Sequence, residues 1–102
     1  MLAYFKKLFK SSSPDIKKLA EEGAMIIDVR TPFEFKSGHI AGSKNIPLNL
    51  LPDKIKELKK LNKTIITVCR SGSRSSTAKD LLVAARLDAC NGGAWTNLKS
   101  AG

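Results

Sequence analysis

The stretch KTIITVC, residues 63–69, constrains the fold more than any other part of the chain. It is short, β-branched and almost wholly apolar, and it stops at a cysteine, so it reads as a strand. A second apolar run, AMIIDV (24–29), is of the kind a parallel sheet buries on both faces. The intervening segments have a different period. SPDIKKLAEEG (13–23) is punctuated as a helix: Ser13 as cap, Pro14 in the first turn, Asp15 at the positive end and Gly23 as terminator, with Ile16, Leu19 and Ala20 as its buried stripe. TPFEFKSG reads as a turn plus one helical turn. NIPL reads as a brief extended piece, because a residue before proline disfavours the helical region. LPDKIKELKKL (51–61) is proline-led and amphipathic, with Ile55 and Leu58 inward. SRSSTAKDLLVAAR (73–86) is a helix with Ala78, Leu81, Leu82 and Ala85 at helical spacing; LDAC is a last short strand, and GGAWTNLKSAG a glycine turn and terminal segment. This alternation predicts an α/β domain with a mostly parallel sheet and helices on both faces. Ligands of such sheets bind beyond the carboxyl ends of the strands, where Cys69 falls.

The totals narrow the function. A chain of 102 residues, 42% apolar, makes one domain with a real core, and two cysteines do not make a disulfide scaffold. No run approaches the ~20 apolar residues a bilayer requires, and MLAYFKKLFK lacks the apolar stretch of a secretory signal. A cytoplasmic protein with reduced thiols is expected. The net charge is +9, but fourteen of the eighteen basic residues are lysines, many on predicted helix faces. That pattern argues against a nucleic-acid partner, which would pair arginines with aromatics on one surface, and suits attraction of small anions. In residues 1–10, Leu2, Phe5 and Phe9 share a helical face away from Lys6, Lys7 and Lys10. Residues 1–12 therefore read as a basic amphipathic extension, a docking helix or frayed end in preference to a membrane-surface anchor. The domain proper would span 13–102.

The loop after the strand carries the chemistry. VCRSGSRSSTAKDLL (68–82) sets one cysteine, two arginines, a glycine and four serines between an apolar run and a helix. A free thiol has a pKa of about 8.5, and only its thiolate is a nucleophile. Backbone N–H groups from Arg70 to Ser75 are positioned to form a nest around the Cys69 sulfur. The helix starting near Arg74 aims its positive end at the same point, and Arg70 and Arg74 add full charges. Gly72 permits backbone angles closed to other residues. Ser71, Ser73, Ser75 and Ser76 are small donors, of which Ser75 or Ser76 also suits the helix cap. Cys69 is thus the candidate nucleophile. The chemistry requires its sulfur to be reachable from water with the amides turned towards it.

CRSGSR (69–74) followed by a helix resembles the active-site loop of the rhodanese-like sulfurtransferases. IIDVRTPFEFKSGHIAGSKNIPL (26–48) is similar to the family's stretch of Asp-Val-Arg, acidic turn, Gly-His-Ile and Asn-Ile-Pro, and GGAW (92–95) to its closing Gly-Gly and Trp motif. Ala41 replaces the usual proline, Ser43 the usual alanine, and Trp95 follows the glycines sooner than in most members. The resemblance implies a three-layer α/β/α rhodanese fold with about five short strands in a central, mostly parallel sheet. It implies a persulfide on Cys69, formed from a small anionic donor such as thiosulfate and passed to a thiol, cyanide or a sulfur-accepting protein, with no metal or organic cofactor. Arg70, Ser71, Gly72, Ser73, Arg74 and Ser75 would bind the donor and stabilise the anion. A protein-interaction module carrying persulfide without turnover is the alternative. Phosphatases of the cell-cycle type and arsenate reductases share the architecture, but the phosphatase loop is one residue longer; here four residues separate Cys69 from Arg74, and the loop holds no carboxylate to act as general acid.

The remaining polar residues read as scaffold. Asp28, Arg30 and Glu34 are expected to form an ion-pair network tying the first loop down. His39, the single histidine, is expected to be buried and hydrogen-bonded. Cys90 reads as a structural thiol, the sharper alternative being a resolving partner for Cys69. Trp95 reads as a core plug behind the loop.

Overall fold

The computed structural model describes residues 15–98. The expected amphipathic extension, the joint at 11–13 and the roles of Ser13 and Pro14 lie outside the described residues. Helix α1 (Ile16–Glu21) leads into strand β1 (Met25–Asp28) and helix α2 (Pro32–Ser37). Strand β2 (Lys44–Asn45) and a 3-10 turn (Leu48–Leu50) precede helix α3 (Leu51–Leu61). Then come β3 (Ile65–Cys69), α4 (Ser73–Ala84), β4 (Ala89–Ala94) and a final 3-10 turn (Trp95–Leu98).

The four described strands form one sheet in the order β2-β1-β3-β4, and every pairing is parallel. About five strands are expected from the resemblance; the described residues contain four. From the central pair the chain moves outward to β2 on one side and to β4 on the other. The carboxyl ends of β1 and β3 therefore mark the topological switch point, where such sheets open a crevice. Both Asp28 and Cys69 stand there.

β3 is buried along its whole length, because both its faces are covered. Ile65 and Cys69 pack with Ile27, Val29, Leu51, Leu58, Ala78 and Leu82 under α3 and α4. Ile66 and Val68 pack with Ile26, Ile40 and Leu98, against which Ile16 and Leu19 of α1 and Trp95 close the other face. This is the three-layer arrangement that non-alternating apolar strands demand. Within α4 the inward positions are Ser75, Ala78 and Leu82. Leu81, expected inward, is 37% exposed, because the buried stripe follows the serine of the loop rather than the apolar residues.

Asp15, expected at the positive end of α1, is its N-cap, its carboxylate accepting the Lys18 N–H at 3.1 Å. At the other end Gly23 sits at φ +99°, and its N–H and that of Ala24 reach the carbonyls of Ala20 and Leu19. That is the glycine-terminated Schellman closure. Arg86 and Leu87 close α4 by the same bonds, to Val83 and Leu82, but with a side chain at φ +69°.

The segment expected as a glycine turn is instead the end of β4. Its register jumps from Thr67 opposite Asn91 to Val68 opposite Gly93, leaving Gly92 as the extra residue of a bulge. A Cβ on Gly92 would lie 2.7 Å from Ile66 Cγ2 and 3.1 Å from the Thr67 carbonyl oxygen. The glycine is there because β3 approaches too closely for any side chain. Gly92→Ala should therefore lower unfolding stability by about 1–3 kcal/mol through overpacking, seen as a lower urea midpoint. Arg86→Gly should raise it by about 0.5–1 kcal/mol by relieving the left-handed backbone.

Candidate active site

β3 delivers Cys69 to the crevice and the chain turns at once into α4. The N-cap of α4 is Gly72, in the left-handed region at φ +104° and without a capping side chain. The expected serine cap is absent. The Cys69 sulfur takes its place, accepting the Gly72 N–H at 3.0 Å and the Ser75 N–H at 3.3 Å. Ser75 is the third helical residue, one whose amide has no partner inside a helix. Of the nest expected from Arg70 to Ser75, the Gly72 and Ser75 amides face the sulfur at hydrogen-bond distance.

Burial of Cys69 opposes its ionisation. The Ser75 hydroxyl, where it turns its proton to the sulfur, and the amides of Ser75, Gly72 and Ser71 outweigh that burial and bring the thiol below its ordinary value. The sulfur is not open to water, however: Cys69 is 0% exposed. Arg70, Ser71 and Ser73 are exposed, and with half-buried Gly72 they form the rim. The requirement of amides turned to the sulfur is met; that of a sulfur already reachable from water is not.

Two residues outside the motif hold this loop. Asn91 of β4 donates from Nδ2 to the Gly72 carbonyl at 3.2 Å, while its Oδ1 accepts the Gly93 N–H at 2.9 Å and the Ser75 hydroxyl at 2.6 Å. Thr67 of β3 is wholly buried and donates its hydroxyl to the Ser75 carbonyl at 2.8 Å. The sequence signal for Thr67 was a polar residue inside a strand-like run; Asn91, between LDAC and the glycines, carried none.

The charged residues are arranged differently from the expected network. Asp28 and Arg30 form a buried pair, with Nη2 2.7 Å and Nε 3.0 Å from Oδ2. Arg30 also donates to the Gly38 carbonyl at 2.7 Å and lies over the Trp95 ring, 4.6 Å from its centroid. Trp95 thus plugs the face opposite Cys69 and supports β1's turn. Glu34 does not join that pair. It caps α2 in a reciprocal capping box with Thr31, and it binds Arg74 in a fork at 2.8 and 3.0 Å. Arg74 is therefore not free to hold a donor. Its side chain is 36% exposed and that of Glu34 27%. Arg70 is exposed, and among the described residues it has no ion pair.

His39 is exposed rather than buried. Its ring stacks on Phe35 with centroids 3.7 Å apart, and Nδ1 donates to the Phe35 carbonyl at 2.8 Å. Cys90 packs with the Ile66 face of the sheet, whereas Cys69 packs with the Ile65 face. The Cys90 thiol lies against the Ile65 carbonyl, four residues down β3 from Cys69, or about 13 Å at strand rise. Burial pushes its pKa up to about 11. Opposite faces and a reluctant thiol remove the resolving-partner alternative. Among the described residues there is no cluster of three metal-ligating side chains, and no helix long and apolar enough to cross a membrane.

The family model of the rhodanese-like domain matches residues 12–98. The thiosulfate sulfurtransferase GlpE of Pseudomonas syringae is 37% identical over 74% of this chain and 71% of its own length. An uncharacterised protein, YqhL of Bacillus subtilis, is 33% identical over 78% of this chain and 62% of its own. Among solved structures, reduced CoADR-RHD of Bacillus anthracis is 34% identical with a TM-score of 0.72, covering 85% of this chain and 15% of that one.

The Glu34–Arg74 fork sets an acid dependence. Arg74 and the Thr31 amide lower the Glu34 pKa from 4.5 to about 2. Its contribution to stability is complete above the unfolded value and is lost as pH falls through the folded one. Wild type should exceed Glu34→Gln by about 1 kcal/mol at neutral pH, a modest figure for a partly exposed pair. That difference should vanish between pH 4.5 and about 2 in denaturation midpoints.

Proposed function

Since the chain belongs to the rhodanese-like domain family, we propose that it is a sulfurtransferase working through a persulfide on Cys69. The observation that carries this reading is the Cys69 sulfur at the carboxyl end of β3, accepting two loop amides. Those amides stabilise a localised negative charge on sulfur and need no reorganisation when it forms. The thiolate attacks the outer sulfur of thiosulfate. A sulfur–sulfur bond forms, the donor's sulfur–sulfur bond breaks with its electron pair, and sulfite leaves. The new terminal sulfur carries the charge. A thiolate or cyanide then attacks it, and Cys69 departs as thiolate.

Arg70 is the cation offered to the donor, because Arg74 is held by Glu34. Ser71 and Ser73 stand beside it on the exposed rim. Entry requires that rim to lift, since the sulfur is covered. Asp28, Arg30, Glu34 and His39 act as supports. The reaction uses only side chains and backbone amides, and it suits a cytoplasm that keeps both thiols reduced. The covered sulfur also gives weight to a second reading, a carrier that exchanges sulfur with a protein partner able to open the loop and turns over small donors slowly.

Mass spectrometry of the intact chain after incubation with thiosulfate separates these readings. Wild type and Cys90→Ser should gain the mass of one sulfur and Cys69→Ser none, with cyanide discharging it as thiocyanate. Loading followed by slow discharge would favour the carrier. Loading of Cys69→Ser would refute both. Arg70→Ala should raise the thiosulfate KM about tenfold with a smaller change in kcat, and salt should weaken wild type more than this variant.

A further inference from the structure

The sequence motif ends at the loop, but the loop's hydrogen bonds do not. The orientation of the Asn91 amide is set by two backbone groups that cannot reverse their roles. The Gly93 N–H has only a proton to give and the Gly72 carbonyl only lone pairs, so Oδ1 faces the former and Nδ2 the latter. The Ser75 oxygen lies 2.6 Å from Oδ1. Oδ1 carries no proton, so the proton between them is the single one of the Ser75 hydroxyl. The Cys69 sulfur lies 3.4 Å from that same Ser75 oxygen. With the hydroxyl proton committed to Asn91, only the thiol's own proton occupies the space between sulfur and oxygen. The resting chain runs from Cys69 S–H to Ser75 O–H to the Asn91 carbonyl.

We propose that Asn91 is a positioning residue that competes with the Cys69 sulfur for the one hydroxyl proton of Ser75, and so sets how readily the nucleophile ionises. This deepens the sulfurtransferase reading and rests on Cys69 being the nucleophile, but its consequences are visible without any sulfur donor. Two amides always favour the thiolate. The Ser75 hydroxyl is different: pointed at Asn91 it offers sulfur a lone pair and favours the thiol, and pointed at sulfur it favours the thiolate. The turn breaks the 2.6 Å bond and leaves Oδ1 with the Gly93 amide alone. Hydroxyl donation to a thiolate is a charge-assisted bond and stronger than its neutral counterpart, but 3.4 Å is long for it and 2.6 Å is short for the bond it replaces. Asn91 thus holds back a donor that the loop would otherwise spend on the anion. As the thiolate forms, its proton leaves to solvent base.

The charged groups around Cys69 stay constant in this scheme. α4 presents Arg74, whose cation senses the Cys69 charge and is paired with Glu34 of α2. β1 presents Asp28, paired with Arg30. The loop carries exposed Arg70, and β4 brings only Cys90, on the other face of the sheet. None of the charged groups is altered in the variants below, and Cys90 is replaced by serine in all of them alike.

The test is the thiolate absorbance of Cys69 as a function of pH, in a Cys90→Ser background with Cys69→Ser as blank. Absorbance needs no reagent to reach the covered sulfur. Ser75→Ala is made with Asn91 present and again with Asn91→Ala. With Asn91 present, removing the hydroxyl should move the Cys69 midpoint by less than about 0.3 unit, because that hydroxyl is committed elsewhere. With Asn91→Ala, removing it should raise the midpoint by about one unit, a tenfold loss of thiolate. Any loosening of the Gly72 carbonyl by Asn91→Ala is common to both members of the second pair and cancels. Equal shifts in the two backgrounds, or a larger one with Asn91 present, would overturn the competition. Should the alanine at 91 unfold the chain, Asn91→Gln shifts the acceptor by one methylene and takes its place, with the same two outcomes. Absence of sulfur loading in the earlier experiment would strike the sulfurtransferase reading and leave this titration intact.

Discussion

A sulfur atom caps the helix on which the site depends. α4 begins at a glycine that has no side chain to satisfy its first amides, and the Cys69 sulfur accepts two of them. Helix N-termini ordinarily take an oxygen from Ser, Thr, Asp or Asn for this purpose. Using the strand's last residue instead joins β3 to α4 at one atom and forces the intervening residues to wrap that atom. Gly72 is the bend that permits it, set 3.5 Å from the Gly93 Cα at the position of its absent Cβ. The closeness of the two glycines links the loop to the bulge in β4. The amides placed to stabilise an anion on sulfur are therefore those that start the helix, and folding and ionisation draw on the same bonds.

Two ion pairs share the rim of the sheet without merging. Asp28 and Arg30 are buried together, with a carbonyl and an aromatic face consuming the rest of the guanidinium. Such a pair is retained for the geometry it enforces rather than for net stability. Here it fixes the path of the chain out of β1 towards α2. Glu34 then reaches back from α2 to Arg74, so the first crossover holds the cation of the second. Asn45 adds to the clamp by donating to the carbonyls of Asp28 and Arg30. Arg74 is thereby held as a strut, whereas Arg70 stands exposed and, among the described residues, without an ion pair.

What was legible in the sequence follows from range. β3 and the helices were readable because β-branched runs, prolines and glycines act within a few residues. The amides facing Cys69 were readable because the loop and helix start lie next to it in the chain. Less accessible were pairings across the fold. Nothing local ties Glu34 to Arg74 rather than to Arg30, and nothing local ties Asn91 to Ser75. The two glycines before Trp95 suggest a turn on propensity, yet they continue the strand because the neighbouring strand leaves no room for a Cβ. The burial of Cys69 was also hidden, since it depends on how distant elements pack around it and not on the loop's composition. Leu81 and His39 were misplaced for a related reason: an apolar or aromatic type states a preference for burial, and the register of the element decides whether it is met.

The cover over the sulfur is compatible with catalysis because little holds it. The rim residues Arg70, Ser71 and Ser73 are exposed and contribute nothing to either half of the core. The rim is held by the Gly72 N–H on the Cys69 sulfur, the Asn91–Gly72 hydrogen bond and the Arg74–Glu34 fork, while the Thr67–Ser75 bond belongs to the helix start and stays. Hydrogen bonds and a partly exposed ion pair contribute about 1 kcal/mol each. Lifting the rim at a total of about 3 kcal/mol leaves roughly half a per cent of molecules open at any moment, far above the globally unfolded fraction. The Ser75–sulfur bond belongs to the helix and survives that motion, so the anion stays stabilised while its outer face is bared.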